Sequence, residues 1–439
     1  MDSRPLSWLG VSLAVVVAVW PAAATEIQHV RSPGGIEAWL VEDKSVPVIG
    51  FRFAFRGGGA LDPPGKSGLA NMVSALLDEG AGDLDSQGFQ KALDDTAASI
   101  GFDAGVERFH GSLRTLSEHR ARAFALLRKA LTTPRFDAEP VERIRRQIVA
   151  GIEGGKDDPR RIAGRTWSRL AFGDHPYARP LAGTRRDVTA IAVEDMRRFV
   201  RERLVRDGLI VGVAGDISAR ELADRLDDVF GALPASAAPA DIPDPPPVQG
   251  GIHIVRKPIR QSIVVFGQPG PRRDDPDYYA AYLMNHLLGG GRTSRLNEEI
   301  REKRGLVYSV GTYLRLFDRA GMIVGQLATA NARVETALDL LRNEWTRMAR
   351  DGVGEDELAA AKRYINGSFP LRLDSTRSIA RMLVGIQLNG LGIDYIDRRP
   401  ALIDAVTAAD VRRVARRLLS PEKLAIVVVG DPKGLETMR

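Results

Sequence analysis

Apolar residues alternate with small or polar ones along Gly50-Phe51-Arg52-Phe53-Ala54-Phe55, the period of a strand with one buried face. The same reading places strands at Gly35–Leu40, at Val48–Phe55 and near 102–115. Between them the period changes. Leu69, Met72, Val73, Leu76 and Leu77 recur at helical spacing, so a helix is expected over about 67–79, with Asn71, Ser74, Ala75 and Asp78 on its other face. Further helices are expected near 86–98, 118–131, 138–153 and 159–171. Past residue 250 the order begins again: strands near 252–267, helices at 276–288 and 294–304, a strand pair over 306–328, then more helices. Strands with helices laid on them make an α+β fold.

The restart has a sequence counterpart. Asp195-MRRFVRERLVRDGLIVGVAG-Asp216 resembles Asp410-VRRVARRLLSPEKLAIVVVG-Asp431, with the two aspartates 21 positions apart in each. Both units read as a basic amphipathic helix leading into a strand that ends in Gly-Asp, and a Val-Thr-Ala sequence introduces each. Equal spacing with matched Arg-Arg and Gly-Asp pairs indicates duplication. The Pro- and Ala-rich stretch at 233–250 reads as an extended linker. Two homologous domains are therefore expected, at 25–232 and 251–439.

The first 24 residues stand apart. Arg4 precedes an apolar run from Trp8 to Trp20, followed by Pro21 and Ala22-Ala23-Ala24. That is the pattern of a secretory leader cleaved near Ala24. As a helix the run would be about 20 Å long, short of the roughly 30 Å a bilayer core demands. A periplasmic or secreted protein with no stable membrane span follows. The 62 basic and 56 acidic residues leave a charge of +6 spread along the chain. No basic run is interleaved with aromatics, so nucleic acid is not an expected partner. With no cysteine, disulfides, thiolate metal sites and cysteine nucleophiles are excluded, and any transition-metal site would need the six His and the carboxylates.

Around the Leu69 helix the chain resembles the insulinase/pitrilysin family of zinc metallopeptidases. The resemblance rests on Gly68-Leu69-Ala70, Pro134-Arg135-Phe136, the Phe172–Tyr177 stretch and Gly183-Thr184, in order and spacing, together with the repeat. It covers nearly the whole chain after the leader. Active members carry H-x-x-E-H on this helix, because two His one turn apart grip Zn²⁺ while the Glu between them activates water. In register, those places hold Asn71, Ser74 and Ala75 here, and the family's third ligand falls at Gly151. No zinc is expected on this chain.

In the second half, Gly289-Gly290-Gly291 precede a helix with Thr293 or Ser294 at its start, which stops at Gly305 and continues as a strand. This resembles the family's second-domain signature, an Arg and a Tyr seven residues apart that reach the zinc site of the opposing domain. Arg301 and Tyr308 match it. A guanidinium can fork onto a peptide carbonyl or carboxylate, and a phenol can donate to a developing oxyanion. The three glycines either let a loop approach substrate backbone or only permit a tight turn.

The resemblance implies a fold of two sheet-and-helix domains, each mainly antiparallel, that together form half of a clamshell. It implies the zinc-less subunit of a bacterial heterodimer, inactive alone. A paralogous subunit bearing H-x-x-E-H would carry the zinc, and Arg301 and Tyr308 would be contributed to that site. A peptide would pair with a sheet edge around Phe102, Asp103 and Ala104, with Gly289–Gly291 also against it. The alternative is a non-catalytic peptide-binding or scaffold protein of the same fold. A stand-alone hydrolase built on His110 and His119 is disfavoured, since nine residues is no recognised ligand spacing.

Overall fold

In the computed structural model, residues 26–236 and 241–437 are described, so the leader at 1–24 lies outside the described residues. The first half contributes strands β1 (Gln28–Arg31), β2 (Glu37–Glu42), β3 (Val48–Arg56), β4 (Ser99–Ala104), β5 (Arg108–Leu116) and β6 (Ile210–Gly215), in the order β1-β2-β6-β3-β5-β4. The second contributes β7 (Gly251–Arg256), β8 (Gln261–Pro269), β9 (Val307–Leu316), β10 (Gly321–Ala330) and β11 (Ala425–Gly430), in the order β7-β11-β8-β10-β9. Set β1 aside and the two orders match strand for strand. Each sheet has one parallel pair at the same place, β2/β6 and β7/β11, and antiparallel pairs elsewhere. Helices pack on the sheets in both halves, giving the two α+β domains of a clamshell half.

The alternation in β3 does what its period implies. Phe51, Phe53 and Phe55 are fully buried on one face, where the rings of Phe124 and Phe230 meet Phe51 and Phe53 at 5.2 and 5.3 Å. Two expected elements of the first half come out differently. The single strand near 102–115 is a hairpin, β4 and β5, because the chain turns at Gly105, whose N–H donates to the Arg108 carbonyl at 2.7 Å. The helix expected over 67–79 is only Leu69–Ser74. Beyond Ser74 the backbone tightens, with Leu76 N–H on the Val73 carbonyl and Glu79 N–H on that of Leu76, although Leu76 and Leu77 stay buried.

The halves are interlocked by exchanged helices. The Pro159–Phe172 helix of the first half lies on β8 and β11 of the second, and the Trp167 indole donates to the Ala425 carbonyl at 3.0 Å. In return, the Thr376–Leu388 helix of the second half lies on β3 and β6 of the first. Glycines clear the ground beneath both. A Cβ on Gly267 would come 2.5 Å from the Trp167 ring, and one on Gly50 would come 2.7 Å from the backbone of Thr376. A mixed apolar cluster, including Trp167, Phe172, Tyr177, Phe317, Val265 and Val427, fills the joint.

The two copies of the sequence unit occupy equivalent places. The Val193–Arg203 helix feeds β6, and the Ala408–Leu418 helix feeds β11. In each, the leading aspartate reaches back to the backbone N–H before the helix: Asp195 to Ala192 at 2.9 Å, and Asp410 to Thr407 at 3.0 Å. Each strand ends at a glycine of positive φ, +124° at Gly215 and +159° at Gly430, which a side chain would rarely tolerate. The described part of 233–250 has neither helix nor strand and is pinned down. Asp241 accepts from the Arg319 guanidinium at 2.7 and 2.9 Å, Ile242 is buried, and the Pro243 carbonyl accepts from His175 Nε2 at 2.8 Å.

Candidate functional site

The helix that would carry the metal motif starts at Gly68, whose φ of +94° suits glycine. Asp62 holds this start, accepting from the N–H groups of Gly68 and Ala70 at 2.8 and 3.1 Å. Burial outweighs those bonds and the nearby Arg203 charge, and it raises the Asp62 carboxyl to about 6. Asn71 is half-buried. Ser74 is buried and spends its hydroxyl on the Asn71 carbonyl at 2.8 Å. Ala75 stands where the helix ends and offers no donor atom.

The fourth position is no better placed. Gly151 is exposed on the Ala138–Gly154 helix with open space where a side chain would be, and its carbonyl accepts from Arg161 at 2.9 Å. The nearby Glu153 pairs with Lys156 and, at 3.9 Å, with Arg185. These side chains do not fit zinc. Among the described residues, no group of three or more His, Asp or Glu is placed to hold a metal ion, and His110 and His119 join no such group.

The Arg/Tyr elements assemble differently from the expected plain helices. The Tyr278–Asn285 helix widens into a π-helical turn at His286–Gly290, and a second π turn spans Asn297–Glu302. Its wide pitch shows in Lys303 N–H, which donates to the Glu298 carbonyl five residues back at 2.9 Å. Such turns are rare and concentrate at functional sites. The second turn is anchored by Arg295, which forks onto Glu357 at 2.9 and 2.6 Å with little exposure. No local pattern in the sequence marks that distant pair.

Arg301 leaves this turn, and Tyr308 follows on β9, an edge strand paired with β10 alone. Both line one open cavity of about 670 Å³ with Gly289, Gly290 and Gly291. Tyr308 is 87% exposed, and the only ion pair of Arg301 among the described residues is with the adjacent Glu302 at 3.2 Å. Arg292, Asn297, Tyr313 and Gln326 line the cavity as well. Gln326 is distant in sequence, and only the strand register brings it opposite Gly311. Gly289 has a packing reason to lack a side chain: a Cβ there would come 2.6 Å from Thr312 Oγ1 on β9.

Phe102, Asp103 and Ala104 lie apart from this cavity, on β4 at the edge of the other sheet. Phe102 leans into the core and stacks on Phe109 at 6.2 Å, while Asp103 pairs with Arg52 at 2.8 Å. The Leu69–Ser74 helix packs beside β4. His175 is structural: buried, it accepts the Tyr177 N–H on Nδ1 at 3.1 Å and donates from Nε2.

The fold and these two regions define a peptidase-like clamshell half whose metal-binding set is missing. The family model described as the peptidase M16 inactive domain matches residues 190–365. The chain is 28% identical over 396 residues to a protein of Helicobacter pylori named non-peptidase homolog YmxG, covering 90% of this chain and 92% of that one. It is 27% identical over 420 residues to an uncharacterized zinc protease of Streptomyces coelicolor, covering 94% and 91%. The crystal structure of a peptidase M16 inactive domain from Pseudomonas fluorescens superposes with a TM-score of 0.88 at 27% identity, covering 94% of this chain and all of that one. These matches support an inactive member of the M16 peptidase family, as its insulinase/pitrilysin resemblance implied.

Proposed function

We propose that this chain is the zinc-free subunit of an exported, two-subunit metallopeptidase, supplying Arg301 and Tyr308 to the zinc site of an H-x-x-E-H-bearing paralogue. The observation that carries this reading is an asymmetry. The metal positions are Asn71, Ser74, Ala75 and Gly151, while Arg301 and Tyr308 share one open cavity and Tyr308 lies uncovered. A guanidinium and a phenol presented to solvent on a rigid π turn and an adjoining strand suit a peptide bound between two subunits. Arg301 would hold a carbonyl or carboxylate, and Tyr308 would donate to the oxyanion as the peptide bond is attacked. Gly289–Gly291 would lie against the substrate, and the free edge of β4 at Phe102–Ala104 would pair with its backbone. Residues 1–24 support export to the periplasm or beyond.

The test is reconstitution with the paralogous subunit. Arg301→Ala and Tyr308→Phe should each lower peptide turnover of the complex by roughly 10²–10³ while subunit association persists. Unchanged turnover in both variants removes the role assigned to the pair. A scaffold or peptide-binding role is the second reading, favoured by the non-peptidase name of the similar Helicobacter pylori protein. Peptide binding without hydrolysis in the presence of every candidate partner would select it.

A further inference from the structure

Resting on the reading that a peptide pairs with β4, we infer that the segment recognised there is acidic, with carboxylates at alternate positions. The face of the first sheet turned away from its phenylalanine core is laid out in cross-strand rows. Ser99 of β4, Arg114 of β5 and Gly50 of β3 form one row, and Gly101, Ser112 and Arg52 form the next. The exchanged Thr376–Leu388 helix adds Arg377 and Arg381, and together these residues line a cavity of about 500 Å³.

The charge of this cavity is lopsided. Four arginines face one acid, Asp103, which is already paired with Arg52 at 2.8 Å. Arg114, Arg377 and Arg381 are exposed and have no ion pair among the described residues. His110 sits in the next row, opposite Asp103. Its imidazole is held below the ordinary range by burial first and by Arg52 and Arg108 after it, against the pull of Asp103.

Residue size at the edge then decides who meets these charges. On this face β4 presents only Ser99 and Gly101 before Asp103, so Arg114 is not screened from a strand added at the edge. Alternate side chains of an added strand fall on the arginine face, and those between fall on the side of Ile100 and Phe102. The matching sequence alternates acidic and apolar residues. No aromatic ring other than the core-facing Phe51 lines the cavity, so it lacks the stacking platforms of a single-stranded nucleic acid site.

Three labelled ten-residue peptides, alternating Val with Glu, Gln or Lys, test this by fluorescence anisotropy on the full chain. The Glu peptide should bind about fivefold tighter than the Gln peptide, and the Lys peptide most weakly. The ranking should weaken with salt. It should collapse in Arg114→Glu/Arg381→Glu and in the milder Arg114→Gln/Arg381→Gln, both with wild-type thermal midpoints. Equal binding of the three peptides overturns the acidic preference and leaves the edge-pairing reading intact. Failure of all three to bind overturns both. An oligonucleotide of equal charge that displaces the Glu peptide more strongly than unlabelled Glu peptide does would also overturn the inference, marking a groove for polyanions in general.

Discussion

The α-carbon of Gly212 on β6 lies so close to the Thr376–Leu388 helix that a Cβ there would be 2.6 Å from the Ala380 carbonyl oxygen. Its neighbours in that space are backbone and the Leu383 Cβ, which cannot swing aside. Gly212→Ala must therefore lift the helix that the second half lends to the first. A cost of about 1–3 kcal/mol is expected, read as a lower urea midpoint. An unchanged midpoint would mean that the exchanged helix is not held at this distance.

Comparison of the two copies points to a stabilising change. Thr407 and Ala192 stand at the same place before their helices with nearly the same backbone angles, φ −98° and ψ 163° against φ −97° and ψ 160°. Thr407 accepts the Asp410 N–H at 3.1 Å on its hydroxyl, whereas Ala192 has no hydroxyl to offer Asp195. Ala192 is exposed, so there is room for one. Ala192→Ser should raise stability by about 0.5–1 kcal/mol, seen as a higher thermal midpoint, and Thr407→Ala should lower it by a similar amount.

Much of the fold could be read in advance for the same reason that this comparison works. Phe51, Phe53 and Phe55 announce a strand by period, and Asp195, Asp410, Gly215 and Gly430 mark duplicated turns because each meets a local backbone demand. What stayed hidden depends on distant partners. The metal-motif helix stops at Ser74 although its apolar stripe runs on to Leu77, since burial of Leu76 and Leu77 continues through a tighter turn. The π turns around Gly289 and Arg301 carry no propensity of their own. Nor does the spacing of Trp167 or Arg377 say that their helices cross to the opposite half. Arg301 and Tyr308 were found through a family resemblance, while Arg114 and Arg381 become neighbours only in three dimensions.

Asp62 gives the pH dependence a sign. Its folded carboxyl is raised from 3.8 to about 6, so its stabilising contribution is complete below 3.8 and is lost as pH rises through about 6. A shift of that size corresponds to roughly 3 kcal/mol. Asp62→Asn removes the titration, and any constant cost of the weaker acceptor leaves the slope untouched. Between pH 4 and 7 the variant should therefore gain on the wild type in urea unfolding. Parallel pH profiles would show that the buried carboxyl is not strained by its charge.

The division of labour between two polypeptides is tested most directly by counting zinc and turnover in one preparation. The full chain, purified and exposed to zinc before exhaustive dialysis, is measured for bound metal and for peptide cleavage, alone and then mixed with an H-x-x-E-H-bearing paralogue. The account predicts neither metal nor cleavage from the chain alone, and cleavage in the mixture above the paralogue's own rate. One zinc retained per chain, with cleavage by the isolated protein, would contradict it.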